Sequence, residues 1–220
     1  TQMHDNVRVL DYGKHEFNYS SINNYGVAHC NGEYVLLLNN DTEIINPDSI
    51  AEMLGICMRD DVGATGAKLL YSDNTVQHAG VLVGIEGLAA HAFLRKHKDA
   101  PCTMMRAVVN CNYSAVTGAC LMTKKRLFDE VGGLDENLKV AFNDIDYCLK
   151  LRKRNKLVVY NAFSLWYHYE SVSRGYEDSI DKIRRFNNEA SKFQKKWSGE
   201  LKRDPYYNSN YKDDRHLFTV

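Results

Sequence analysis

The 220-residue chain is long enough for one domain with a sizeable core, and 44% of it is hydrophobic. Lys and Arg total 28, as do Asp and Glu, so bulk charge gives no pull toward nucleic acid. No apolar stretch approaches the ~20 residues of a membrane span, and six scattered cysteines without a CxxC pair argue against a zinc site or a disulfide framework, leaving buried free thiols.

Residues 7–10 are a short strand candidate, and Phe17-Asn18-Tyr19-Ser20-Ser21 leads into a helix. Ser20 or Ser21 caps it, Ile22, Tyr25 and His29 share a side, and Asn31-Gly32 ends it. The unbroken apolar run Tyr34-Val35-Leu36-Leu37-Leu38 reads as a strand buried on both faces, in the middle of an α/β sheet. Asn39-Asn40-Asp41-Thr42-Glu43 follows. Ligands of open α/β sheets bind beyond the carboxyl ends of strands, and carboxylates and amides there suit a hard cation. The same cluster serves equally well as Asx turns and a helix cap.

Asn46-Pro47 opens a second helix with Ile50, Leu54 and Cys57 inward, running to about Met58. Residues 62–71 read as a second strand weakened by glycines, and Asp73-Asn74 turns the chain. Periodicity is poor from Gln77 to Asn112, the mark of a functional loop or a mobile lid. His78 and His91 fall there, each either structural or in reach of substrate. Residues 112–123 lead into another buried strand, and a short helix over 124–131 is closed by Gly132-Gly133.

A longer helix opens at Asn143-Asp144-Ile145-Asp146 and runs through Arg154. Asp144 sits in its first turn, where the helix dipole favours a carboxylate. Asp146 and Lys150, four apart, read as a surface ion pair. Residues 157–160 are a last strand. His168, followed by Ser171, Ser173 and Arg174, suggests a metal-plus-phosphate site. An amphipathic helix over 178–197 turns Ile183, Phe186, Ala190, Phe193 and Trp197 inward, with a basic face for solvent or a membrane surface. Residues 201–220 read as an irregular tail, and no linker or repeat divides residues 1–200.

Taken in order, several strings resemble the family-two glycosyltransferases of the GT-A fold, in the branch for O-antigen and rhamnan-type polysaccharide synthesis. They are Phe17-Asn18-Tyr19-Ser20, Leu38-Asn39-Asn40-Asp41-Thr42-Glu43, Gln77-His78-Ala79-Gly80, Val116-Thr117-Gly118-Ala119-Cys120, Gly132-Gly133-Leu134-Asp135-Glu136, Ala141-Phe142-Asn143-Asp144-Ile145-Asp146 and His168-Tyr169-Glu170-Ser171. The resemblance implies an α/β, GT-A-type mixed sheet flanked by helices over residues 1–200, lacking the first nucleotide-binding strand and helix, as in an N-terminal truncation. It implies inverting, metal-dependent transfer of a sugar from a nucleotide-diphosphate donor to a glycan or lipid-linked glycan.

Under that resemblance Asp41 matches the last acid of a DxD-type motif for Mn²⁺ or Mg²⁺, with Asn39 in place of its first acid. His168 matches a late histidine that completes the metal site, and Asp144 matches the general base, with Asn143 where Glu is common. Asn24, Asn39, Asn40 and Arg174 fall to the donor side. His78, His91, Thr117, Gly118, Asp135 and Asn143 fall to the acceptor or substrate loop. A cytoplasmic location at or near the inner membrane face, and an inactive fragment that self-associates through an open sheet edge, are further expectations. Two rivals stand beside this reading: a catalytically degenerate carbohydrate-binding domain and a sugar-nucleotide nucleotidyltransferase.

Overall fold

The computed structural model describes residues 6–169, 179–211 and 217–218. In chain order its elements are α1 (Tyr19–Ala28), β1 (Tyr34–Leu38), β2 (Thr42–Ile44), α2 (Ser49–Cys57), β3 (Val62–Leu70), β4 (Val76–His78), β5 (Val81–Val83), β6 (Ala89–His91), β7 (Cys111–Tyr113), β8 (Cys120–Lys124), α3 (Lys125–Glu130), α4 (Asn143–Lys153), β9 (Leu157–His168) and α5 (Ile180–Lys196).

The main sheet runs β1-β8-β3-β9-β2, with β4 added to β3 and β7 to β9. β3 and β9 are parallel, and every other pairing is antiparallel, so the sheet is mixed. All nine residues of β3 are buried, as a strand with neighbours on both edges and helices on both faces requires. Met53 and Cys57 of α2 pack on one face with Leu69, Cys120, Met122 and Trp166. The larger core on the other face joins Val35, Leu37, Leu121, Tyr147, Leu151, Tyr160 and Phe193.

The glycines that weaken the pattern of β3 have a packing reason. A Cβ on Gly66 would stand 2.4 Å from the Cβ of Val116, so the β3 backbone approaches the 116–119 segment only because Gly66 lacks one. Gly66→Ala is expected to destabilise the fold by about 1–3 kcal/mol through overpacking, read as a lowered midpoint in urea denaturation. An unchanged midpoint would mean that Val116 moves aside at no cost.

Several expectations are corrected. Residues 7–10 form no strand. β1 pairs only with β8 and buries alternate residues, so among the described residues it is the sheet's terminal strand, not a central one. The cap of α1 is Asn18, whose side chain accepts from the Ser21 N–H, and Ser20 and Val27 are the buried positions. In α2, Met53 and Cys57 face inward while Ile50 is exposed.

The 77–112 segment is not irregular throughout, although residues 92–110 hold no strand or α-helix. It carries β4, the β5–β6 hairpin and the start of β7. Gly80 makes the β4–β5 turn at φ +100°, and a Cβ there would meet the Tyr113 ring at 2.4 Å. β9 does not stop at residue 160. Asn161 Oδ1 accepts from the Phe163 and Ser164 N–H groups at an irregularity, and the strand then resumes to His168.

Ile183 and Phe186 of α5 are exposed, and burial begins at Glu189, Ala190 and Phe193. After a 3₁₀ turn over Glu200–Lys202, residues 203–211 are irregular but docked: the buried Asp204 carboxylate accepts from the Val83 N–H at 2.7 Å. All six cysteines are free, but only Cys57, Cys120 and Cys148 are buried, and Cys30 is exposed. Among the described residues no helix is long and apolar enough to cross a membrane.

Candidate active site

Strand pairing assembles the first half of the site. β2 runs antiparallel to the end of β9, with Thr42 opposite His168. The Tyr169 N–H donates to the Asp41 carbonyl at 2.9 Å, closing the pairing. Asp41 Oδ1 therefore lies 3.2 Å from His168 Nε2, with both side chains mostly covered (15% and 11% exposed) but reachable. Asn39 Nδ2 is also 3.2 Å from Nε2. Asp41 Oδ1 is buried and makes no hydrogen bond to any described group. A buried carboxylate oxygen left so is costly unless a cation takes its lone pairs, either a protonated His168 or one from outside the chain.

A short strap builds the rest. The Thr117 N–H donates to His78 Nε2 at 3.4 Å, the Gly118 N–H donates to Asp144 Oδ2 at 2.8 Å, and the Ala119 carbonyl accepts from the Asn39 N–H at 2.9 Å. Two residues of backbone reach at most about 7 Å. The Asp144 carboxylate and the end of β1 are thus held in one neighbourhood by consecutive peptide groups. Tyr19 Oη donates to the Gly118 carbonyl at 2.8 Å and steadies the strap from α1.

Asp144 stands in the first turn of α4, after Phe142 at a left-handed φ of 64°. Its Oδ1 accepts from the Ile145 N–H at 2.8 Å. Each oxygen thus has one backbone donor and a second lone pair still to offer. The loop ahead of α4 is clamped from below: the buried Glu189 carboxylate of α5 accepts from the N–H groups of Lys139, Val140 and Ala141 at 3.1, 3.3 and 2.7 Å. Sequence reading passed over Glu189. Its signal is a charged residue at the spacing of the apolar stripe Phe186, Ala190 and Phe193.

Other candidates lie elsewhere or are occupied. The Asn24 amide binds the Leu134 backbone at both ends and also Glu136, which ties α1 to the 133–136 turn. Asn143 is buried and donates to the Leu138 and Val140 carbonyls. Asp135 accepts from Lys196 Nζ at 2.8 Å. Burial pushes the Asp135 carboxyl up, but Lys196 and the Asn137 donors outweigh it and hold it below its usual range. Asn40 is exposed at the turn. Arg174, with Ser171 and Ser173, lies outside the described residues.

Asp146 is not in a surface pair. It is fully buried, with Lys196 Nζ at 2.6 Å, Trp197 Nε1 at 2.8 Å and Lys150 Nζ at 3.1 Å, and it joins α4 to the end of α5.

His78 and His91 form a pair, Nδ1 to Nδ1 at 3.0 Å. His78 is fully buried, and lost hydration, then His91 and His168, hold its pKa well below the usual value. The unfolded chain takes up a proton as pH falls through about 6.5, while folded His78 does not. Stability present above that pH is therefore lost as pH falls below it. Between pH 7 and 5.5 the native chain should lose about 1 kcal/mol more than His78→Gln, measured by urea titration at each pH. Equal losses would mean that folded His78 protonates normally.

A family model described as glycosyltransferase-like family 2 matches residues 2–214. An uncharacterised protein of Sinorhizobium fredii, y4gI, is 44% identical over 97% of this chain. The O-antigen biosynthesis protein RfbC of Myxococcus xanthus is 37% identical over 88% of it. The chain spans only 24% and 15% of those two relatives. Among solved structures, GalNAc-T7 with UDP, GalNAc and Mn²⁺ superposes with a TM-score of 0.64 at 12% identity, covering 86% of this chain and 36% of that one. The mannosyltransferase PcManGT of Pyrobaculum calidifontis, in complex with GDP-Man and Mn²⁺, gives 0.50 at 14% identity, covering 83% and 44%. At such identities the likeness is one of fold, and the fold is the α/β GT-A arrangement of a mixed sheet between helices. The family match takes in far more than half of the sequence, and on that ground the chain belongs to glycosyltransferase-like family 2.

Proposed function

We propose that the chain is the catalytic domain of an inverting, divalent-cation-dependent glycosyltransferase that moves a sugar from a nucleotide-diphosphate donor to a hydroxyl of a glycan or lipid-linked glycan. The observation that carries the reading is the meeting of Asp41 Oδ1 and His168 Nε2 at 3.2 Å, with that carboxylate oxygen buried and without a hydrogen bond to any described group. One carboxylate and one imidazole fit a divalent ion, and the imidazole favours Mn²⁺ over Mg²⁺. Among the described residues no three His, Cys, Asp or Glu side chains cluster for a metal. Asp41 and His168 would thus hold the ion together with donor oxygens and water, and the bound ion would neutralise charge on the departing diphosphate.

The chain's own part is positioning and proton transfer. Asp144, oriented by the Gly118 and Ile145 N–H groups, accepts the proton of the attacking hydroxyl. Attack from the face opposite the leaving group inverts the anomeric centre. The free cysteines fit a reducing, cytoplasmic compartment.

The test is a panel of nucleotide-sugars assayed with Mn²⁺ and with chelator, the product's anomeric configuration being read by NMR. Transfer that survives chelation removes the cation from the reading. Retained configuration removes the single-displacement step.

A second reading has one observation in its favour. The Asn39 amide, where an acid is common, can itself satisfy His168 Nε2. That suits a domain that binds glycan without transferring it. Glycan binding without turnover of any donor in the panel would favour it.

A further inference from the structure

Gln77 is 6% exposed, and both ends of its amide are engaged by one residue. Gln77 Oε1 lies 2.6 Å from His168 Nδ1, and Gln77 Nε2 donates to the His168 backbone carbonyl at 3.3 Å. The second contact fixes the orientation of the amide, because a carbonyl only accepts and the nitrogen must face it. The oxygen then faces Nδ1. An amide oxygen cannot donate, so Nδ1 carries a hydrogen, and in the neutral imidazole Nε2 then carries the lone pair.

A second contact agrees with that tautomer. The Asn39 Nδ2 donor, 3.2 Å from Nε2, needs an acceptor there. Asp41 Oδ1 also faces Nε2 at 3.2 Å and makes no hydrogen bond to any described group. A lone pair and a carboxylate oxygen directed at each other repel until a positive charge enters between them. The opposite tautomer would fill the gap with its own N–H and close the site as a simple hydrogen bond.

The sheet explains how Gln77 reaches this position. β4 and the end of β9 lie on opposite edges of β3, with Leu69 paired to His78 on one side and to Trp166 on the other. Gln77 thus spans the width of β3 to meet His168.

We propose that Gln77 is a positioning residue that holds His168 in the Nδ1–H tautomer and so keeps Nε2 available to a divalent cation. This rests on the cation reading of Asp41 and His168. Histidines that bind metals commonly have their other nitrogen fixed by an acceptor, and loss of that acceptor commonly costs 10- to 100-fold in metal affinity.

Two measurements on ¹⁵N-labelled protein test it. Imidazole nitrogen shifts without metal report the tautomer, and Mn²⁺ titration followed by water-proton relaxation reports affinity. The native chain is expected to show a protonated Nδ1 on His168. Gln77→Leu should admit the Nε2–H form and weaken Mn²⁺ binding by about 10- to 100-fold. Gln77→Glu keeps an acceptor at Nδ1 while losing the donor to the carbonyl, and should bind Mn²⁺ at least as tightly as the native chain.

A protonated Nε2 in the native chain overturns the proposal. So does equal weakening by the two variants, which is what a packing role would give. Asp41→Ala run alongside separates the two levels: Mn²⁺ binding undiminished in that variant sinks the cation reading itself, whatever Gln77 does.

Discussion

Asp144→Asn is expected to lower kcat by a factor on the order of 10²–10⁴, with donor affinity nearly unchanged. The substitution keeps the shape of the side chain and leaves one oxygen, but removes the base. One of the two backbone N–H groups now on the carboxylate, from Gly118 or Ile145, would face an amide nitrogen. A modest loss of stability therefore accompanies the kinetic effect and is to be read separately, by denaturation. A fall in kcat with the KM for donor held constant identifies a group that acts in the chemical step. If donor binding and rate fall together, Asp144 is a structural anchor of the strap and the proton has another destination.

Asp41→Ala is expected to abolish cation-dependent turnover while leaving the fold intact. The backbone carbonyl of Asp41 pairs with Tyr169, and that contact does not depend on the side chain. What is lost is the only carboxylate placed against His168 among the described residues. A neutral replacement cannot restore its charge toward a divalent ion. His168→Ala should weaken metal affinity less, because water can take the place of a neutral ligand. Metal titration of both variants, beside circular dichroism to confirm folding, decides the matter. Full activity in Asp41→Ala would remove the metal assignment, and an unchanged titration in His168→Ala would remove the histidine from it.

Local chemistry accounts for the elements that the sequence implies and the structure contains. The strand candidates at 34–38, 62–71 and 112–123 contain β1, β3 and β8. Gly132-Gly133 stops α3 as expected, because both residues adopt positive φ after the last turn. Asp144 falls in the first turn of α4 as its sequence neighbourhood implied. Asp41, at a strand end followed by polar residues, was a candidate from the sequence alone, though Asx-turn chemistry fitted the same residues.

Tertiary structure decided the rest. Asp146 has the spacing of an exposed ion pair, and only the return of α5, bringing Lys196 and Trp197, buries it. Glu189 and Gln77 carry no pattern of their own. They acquire roles because one faces the backbone of residues 139–141 and the other faces a histidine two strands away. Asn24 has the composition of a ligand-binding residue, yet its amide is used on a turn 110 residues further along the chain. Propensity, capping and periodicity act within a few residues, so they are legible in the sequence. Which polar groups are buried, and which partners they find, follows from elements packed together from far along the chain, and the meeting of Asp41 with His168 is of that second kind.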